Sequence, residues 1–143
     1  MACEENNGMK IKRAILLILP ISAFVLQLLP YGAVLNFANP EGEPFRRTYS
    51  YFSLVPVGYA SFGPMLTGVL TCILLTLLLV WLFNKNAVLY RVAWSACACS
   101  LAASVTPVFY GMRYISVIGV MISALLSVQL VMMSLIYRST KKD

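Results

Sequence analysis

Residues 36–60 read NFANPEGEPFRRTYSYFSLVPVGYA and form the only long part of the chain that is unsuited to the interior of a membrane. The segment combines charges with turn-forming Asn-Pro and Gly residues, and no catalytic or ligand-binding motif occurs in it. An apolar run precedes it at 14–35, and three more follow at 63–83, 92–109 and 115–137. We predict that the segment is a loop outside the membrane and that the four apolar runs hold it there.

The composition of the chain is that of a multi-pass membrane protein. Hydrophobic residues make up 60% of the 143 residues, charged residues only 11%, and the mean hydropathy is +0.82. The runs are continuous and close to the roughly 20 helical residues that cross a hydrocarbon core of about 30 Å. We predict an all-α membrane protein with a single domain, residues 1–143. Its expected architecture is a four-helix transmembrane bundle with a long first extracytoplasmic loop, residues 36–62.

Basic residues predict the orientation of the helices. If the runs cross the membrane in turn, eight of the eleven Lys and Arg residues lie on one side and three on the other. The positive-inside rule then places both termini in the cytoplasm and the loop outside the cytoplasmic membrane. Aromatic residues agree with this orientation. The predicted inner aromatic belt consists of Trp81, Tyr90, Trp94 and Tyr137, and the outer one of Tyr31, Tyr59, Tyr110 and Tyr114.

Residues that carry out catalysis or bind metals are scarce. The chain has no histidine, and its five acidic residues all lie outside the apolar runs. Ionisable groups inside a membrane usually mark ion paths and proton relays, so their absence argues against a pump or an intramembrane protease. Cys97 and Cys99 lie about 200° apart around a helix and cannot share a metal ion. We therefore predict that the protein is not an enzyme and has no catalytic residue, cofactor or metal site.

The charges of the loop are candidate interaction residues. Glu41 and Glu43 lie on a predicted turn, and Arg46 and Arg47 follow it. We interpret the two carboxylates as solvated turn charges that can pair with the arginines, because two carboxylates are too few for a calcium site. We interpret the arginines as solvated or snorkelling, and the alternative is that they hold an anionic ligand or a lipid headgroup.

An uncharged aromatic segment, residues 48–60, completes the loop. It is too apolar to float in water and too far from the next helix start, Gly63, to belong wholly to that span. It is therefore either a short strand or an interfacial segment. We predict that it folds over the outer mouth of the bundle as an ordered cap. The side chains expected to be buried in this cap are Tyr49, Tyr51, Phe52, Leu54 and Val57.

Polar side chains inside the predicted spans are candidate intramembrane contacts. Gln27 lies near the predicted depth of Thr71 and Ser104, whereas Gln129 lies nearer the inner side, at the depth of Thr76. Hydrogen bonds between helices, typically about 0.6 kcal/mol each, are the favoured interpretation. The alternative is a small polar pocket for a neutral substrate.

A block of small residues, SACACSLAAS at 95–104, occupies the third run. Small side chains let helix backbones approach closely, so we predict that this helix packs tightly on its neighbours. Ala98→Leu and Ala102→Leu are then expected to overpack the bundle. Because two neighbours need not cover a helix on every side, a second copy of the chain against the remaining face is the alternative.

A resemblance to known proteins rests on residues 29–54, LPYGAVLNFANPEGEPFRRTYSYFSL. This stretch resembles the first loop of small uncharacterised four-span bacterial integral membrane proteins, and the similarity covers most of the chain. The resemblance implies a fold and a location in the bacterial inner membrane only. The layout of the spans and loops also resembles the claudin group. The tryptophan-glycine-leucine-tryptophan motif and the loop cysteine pair of that group are missing here, so no function or residue is carried over from it.

These observations favour a non-catalytic membrane protein, an interaction or accessory subunit that presents an ordered outer loop. The rival is a small oligomeric permease or channel-like protein for a neutral or small solute. A pore would show a continuous polar stripe, whereas an interaction protein would show scattered polar contacts and an ordered loop. The expected partners are the lipid bilayer and either a second copy or another membrane protein. The net charge of +6 does not predict nucleic acid binding, because the basic residues flank apolar runs.

Overall fold

The computed structural model consists of four helices and one two-stranded sheet, and it describes residues 2–37, 45–53, 62–109, 111 and 114–140. The fold is mostly helical, as predicted, but the sheet lies outside the predicted all-α class. In chain order, the elements are α1 Ala2–Leu28, β1 Ala33–Phe37, β2 Phe45–Tyr49, α2 Gly63–Asn84, α3 Ala87–Phe109 and α4 Val117–Thr140.

Within the described residues, three of the four helices are long and apolar enough to cross a membrane. They are α2, α3 and the Val117–Arg138 part of α4, whereas α1 contributes a shorter apolar segment, Ala14–Leu28. Apolar side chains point outward from all four helices, as expected where the surrounding medium is lipid. These features are consistent with a small multi-pass protein that inserts into a membrane by its apolar helices.

The first predicted span, 14–35, does not form one continuous helix. α1 ends at Leu28, and residues 33–35 belong to β1. Pro30 explains the break, because its ring disfavours a helical conformation at Leu29 and its nitrogen has no hydrogen to donate. The apolar run therefore turns and continues as a strand. Among the other spans, α2 agrees closely with the prediction, α3 begins earlier, at Ala87, and α4 begins later, at Val117.

The helices pack as a ring in which α1 and α3 each contact both α2 and α4. The seam between α2 and α3 is built from residues spaced three or four apart, the spacing that places side chains on one helix face. The buried residues of the two helices include Gly63, Thr67, Thr71, Leu74 and Leu78 on α2, and Tyr90, Ala93, Cys97, Ser100 and Ser104 on α3.

Gly63 marks a close approach of α2 to α3. A Cβ atom on Gly63 would collide with the Thr106 hydroxyl and would lie 3.0 Å from the carbonyl oxygen of Ala103. Pro107 cannot donate to that carbonyl, and the Thr106 hydroxyl donates to it instead at 2.7 Å. α3 therefore continues past Pro107 and ends at Phe109.

The predicted overpacking at Ala102 is wrong. Ala102 and Cys99 lie on the exposed face of α3, Ala98 is half-buried, and Ala103 and Cys97 are buried. The small-residue block surrounds the helix, so hydropathy alone could not identify which of its members face the neighbouring helices. Close packing is confined to the buried face.

Ala103→Val is expected to lower the free energy of unfolding by about 1 kcal/mol, at the lower end of the range for overpacking. The extra methyl groups would enter the region where α3 approaches Gly63. Ala102→Val is the matched control on the exposed face, with an expected change within about 0.5 kcal/mol. Thermal denaturation in detergent measures both variants, and equal stabilities would contradict the assignment of faces.

Aromatic side chains of the predicted inner belt meet at the end of the helices opposite the sheet. The ring of Tyr90 lies 5.0 Å from that of Trp81 and 6.3 Å from that of Tyr137. The Tyr90 hydroxyl donates to the carbonyl of Met133 at 2.8 Å. These contacts join the end of α2, the start of α3 and the end of α4.

Candidate functional site

Strands β1 and β2 form an antiparallel hairpin beside the ends of the helices. Asn36 lies opposite Arg46, and Leu35 lies opposite Arg47. Successive side chains of a strand point to opposite faces, so Arg46 and Arg47 lie on different faces of the hairpin. They therefore cannot form a single two-arginine clamp. Glu41 and Glu43, the predicted turn charges, lie outside the described residues.

The aromatic residues after β2 fix the hairpin to the helices. Tyr51 is 2% exposed, and its ring would lie 2.8 Å from a Cβ atom on Gly32. Its backbone N–H donates at 3.1 Å to the carbonyl of Gln27, one of the four carbonyls that the end of α1 leaves without a helical partner. Burial raises the pKa of Tyr51 to about 12, so the hydroxyl stays protonated at neutral pH.

Phe52 makes the second aromatic contact. Its ring packs edge-on against Phe24 of α1, with 5.6 Å between the ring centroids, and lies over Gly68 of α2. Tyr49 packs against the buried hydrophobic core of the protein. The prediction that these three side chains fold onto the helices is confirmed, whereas Leu54 and Val57 lie outside the described residues.

Two hydrogen bonds join the hairpin to the start of α4. The guanidinium of Arg46 donates to the carbonyl of Ile115 at 3.0 Å. The hydroxyl of Ser116 donates to the carbonyl of Gly32 at 2.8 Å and accepts from the N–H of Gly119 at 2.8 Å. Ser116 thus caps α4 while holding the turn that leads into β1. The hairpin is attached to α1, α2 and α4.

A partly open pocket of about 230 Å³ lies between the hairpin, the end of α3 and the start of α4. Its polar groups include the hydroxyls of Ser104 and Ser123, which are hydrogen-bonded to each other across α3 and α4 at 2.9 Å. Tyr51 and Ser116 also line it. Most of its wall is apolar and includes Val105, Pro107, Val108, Ile115 and Val120.

The predicted intramembrane contacts are divided among different helix interfaces. The side-chain amide of Gln27 donates to Thr71 at 3.0 Å, and the Thr71 hydroxyl lies 3.2 Å from that of Ser100. The structure therefore brings Gln27 and Thr71 together. Ser104 is not part of this cluster, because it pairs with Ser123 on α4.

Gln129 has a partner that its predicted depth did not indicate. Its side-chain amide donates to the carbonyl of Leu16 at 3.1 Å, and both residues are buried. In a regular helix, the carbonyl of Leu16 would accept a hydrogen bond from the backbone N–H four residues later. That residue is Pro20, which has no N–H. The signal in the sequence was the proline inside α1, which leaves a carbonyl free for a neighbouring helix. Thr76, placed near Gln129 by depth, is exposed and donates to the carbonyl of Cys72 instead.

Each pair of neighbouring helices thus shares a polar contact. The side-chain oxygens of Gln27 and Gln129 are buried and have no hydrogen-bond partner within the described residues, so each amide acts only as a donor. Among the described residues, the polar side chains form a cluster of three and separate pairs, and not one continuous stripe. The contacts include Gln27 to Thr71, Thr71 to Ser100, Ser104 to Ser123, and Gln129 to Leu16.

Comparison of the chain with protein-family models, with curated proteins and with solved structures found no match. The resemblance to four-span bacterial proteins stays a prediction.

Proposed function

We propose that the protein is a non-catalytic interaction or accessory subunit of the bacterial cytoplasmic membrane, and that its hairpin is a fixed outer platform for a membrane protein partner. The observation that carries the proposal is the attachment of the hairpin to three helices. The backbone N–H of Tyr51 donates to Gln27 of α1, the ring of Phe52 lies over Gly68 of α2, and Ser116, the cap of α4, donates to Gly32. A loop held in this way keeps one conformation. It therefore loses less conformational entropy when it binds a partner.

All four helices cross the membrane in this proposal. α1 contacts its neighbours at two levels, through Gln27 and through Leu16, which are about 16 Å apart along a helix. It therefore runs alongside two helices that are themselves long enough to cross. Its apolar part, Ala14–Leu28, covers about 22 Å, and the helix itself begins earlier, at Ala2.

The pairing of polar side chains favours this proposal over a small oligomeric permease or channel-like protein for a neutral solute. A solute path needs polar groups that face a common lumen. Here the amide of Gln27 and the hydroxyls of Thr71 and Ser100 form one cluster, Ser104 and Ser123 bond to each other, and the amide of Gln129 donates to a backbone carbonyl.

Both termini are expected in the cytoplasm. In a variant that keeps Cys3 but has its other cysteines replaced by alanine, a membrane-impermeant thiol reagent should label Cys3 only after permeabilisation. A cysteine introduced by Gly42→Cys should be labelled in intact cells, because the basic residues favour the opposite side for both ends of the chain. Labelling of Cys3 in intact cells would overturn this orientation.

Photocrosslinking in native membranes tests the platform. A photoreactive residue at Arg47, an exposed position of the hairpin, should form a discrete adduct with one membrane protein, whereas the same residue at Val131, on the exposed face of α4, should not. Combining the Arg47 probe with Tyr51→Ala should abolish the adduct, since the hairpin loses its buried anchor. An adduct that survives Tyr51→Ala, or identical products from both positions, would count against a fixed platform.

A further inference from the structure

We propose that the pocket beneath the hairpin binds an anionic phospholipid of the outer leaflet, with one acyl-chain segment in the pocket and the phosphate at Arg46. The inference rests on the membrane placement proposed above and adds a ligand to it. Three observations carry it: the position of the pocket opening, the character of its wall and the charge beside it.

The pocket opens toward the lipid. Val108 of α3 and Val120 of α4 both line it, and they are 54% and 55% exposed. Exposed apolar side chains at the ends of two candidate membrane-spanning helices face acyl chains once the helices are inserted. A lipid chain can therefore enter sideways, between α3 and α4, without crossing water.

The size and wall of the pocket suit part of a chain. A cavity of about 230 Å³ has room for several methylene groups but is far too small for a whole phospholipid. The hydroxyls of Ser104 and Ser123 bond to each other, so they do not require a polar ligand. An apolar segment is the occupant that matches such a wall.

A positive charge lies beside the pocket wall. Arg46 is exposed, and its guanidinium is held by a hydrogen bond to the carbonyl of Ile115, a pocket-lining residue. A guanidinium has five N–H donors, so one contact leaves it able to bind phosphate oxygens. The N-terminus of α4, whose cap Ser116 also lines the pocket, adds partial positive charge. Together these groups favour a lipid with net negative charge.

Native mass spectrometry of the purified full-length protein tests the site, with phosphatidylglycerol and phosphatidylcholine of identical chains as the probes. Phosphatidylglycerol should bind more tightly than phosphatidylcholine. Arg46→Gln should weaken phosphatidylglycerol binding about tenfold, the loss expected for one charge-assisted contact. Arg47→Gln is the matched control, with the same change of charge on the other face of the hairpin, and should leave the affinity unchanged.

A second variant separates the pocket from the charge. Val120→Trp keeps Arg46 and alters an exposed position, so the fold should tolerate it, but the larger ring should fill the opening and weaken lipid binding. Inorganic phosphate should not displace the lipid, because it cannot use the apolar wall.

Equal affinities in the wild type, Arg46→Gln and Val120→Trp would overturn the site. Equal losses in Arg46→Gln and Arg47→Gln, or displacement by inorganic phosphate, would overturn it too. Because this measurement uses purified protein, its failure would leave the labelling and crosslinking results unaffected.

Discussion

Replacing Tyr51 with alanine is expected to lower the free energy of unfolding by about 3 to 5 kcal/mol, the range for removing a large aromatic side chain from a core. Tyr51 is among the largest fully buried side chains, and its ring fills the space above Gly32. Its removal would leave a cavity between the hairpin and the helices. The hairpin would then be held mainly by the contacts of Arg46 and Phe52, so its backbone should open far more often.

Amide hydrogen exchange over residues 45–53, together with thermal denaturation in detergent, measures this effect. Tyr51→Phe keeps the ring and should retain most of the protection and stability. Tyr31→Ala is a second control, because Tyr31 is 60% exposed and its loss should change stability little. Slow exchange over 45–53 in Tyr51→Ala would show that this side chain is not the anchor.

Replacing Gln129 with leucine is expected to lower the free energy of unfolding by about 2 kcal/mol, the middle of the range for leaving a buried polar group without a partner. Hydrogen bonds between membrane helices are usually weaker than this, because the polar groups find other partners when one is removed. The carbonyl of Leu16 is a different case. Pro20 occupies the position that would otherwise supply its N–H donor.

A double-mutant cycle with Pro20→Ala isolates this contact. Alanine at position 20 restores an N–H that can donate to Leu16 within α1, so in that background Gln129→Leu should cost at least about 1 kcal/mol less. Thermal denaturation of the four proteins provides the coupling energy. Thr76→Val is a control, because the exposed Thr76 hydroxyl donates to Cys72 within its own helix. Additive effects of Pro20→Ala and Gln129→Leu would show that the two residues do not act through the same carbonyl.

Several local features were predictable because each depends on a short stretch of chain. The start of α2 at Gly63 follows from a proline at the first turn, where no hydrogen bond is lost. The contact of Gln27 with Thr71 follows from two polar groups at one depth, each needing a partner in an apolar medium. Burial of Tyr51 follows from an aromatic segment that is too apolar for water.

Other features escaped prediction because they depend on how the helices are rotated and which strands pair. Ala102 and Ala103 have the same hydropathy, and only the orientation of α3 decides that one is exposed and the other buried. Arg46 and Arg47 are neighbours in sequence, and only the strand pairing places them on opposite faces. The apolar run 14–35 predicted one span, but the chain leaves the helix near Pro30 and continues as β1, which pairs with β2.

The sequence by itself determined the class of protein, the number of helices and most of their approximate positions. Hydrophobicity and length are properties of single segments, and a helix satisfies its backbone hydrogen bonds within one segment, so no partner segment is needed to predict it. Tertiary structure alone decided the partner of Gln129, which lies 113 residues away at Leu16, and the pocket between the hairpin, α3 and α4. Such features arise from side chains and backbone groups of separate segments, whose relative placement is set by packing the whole bundle at once.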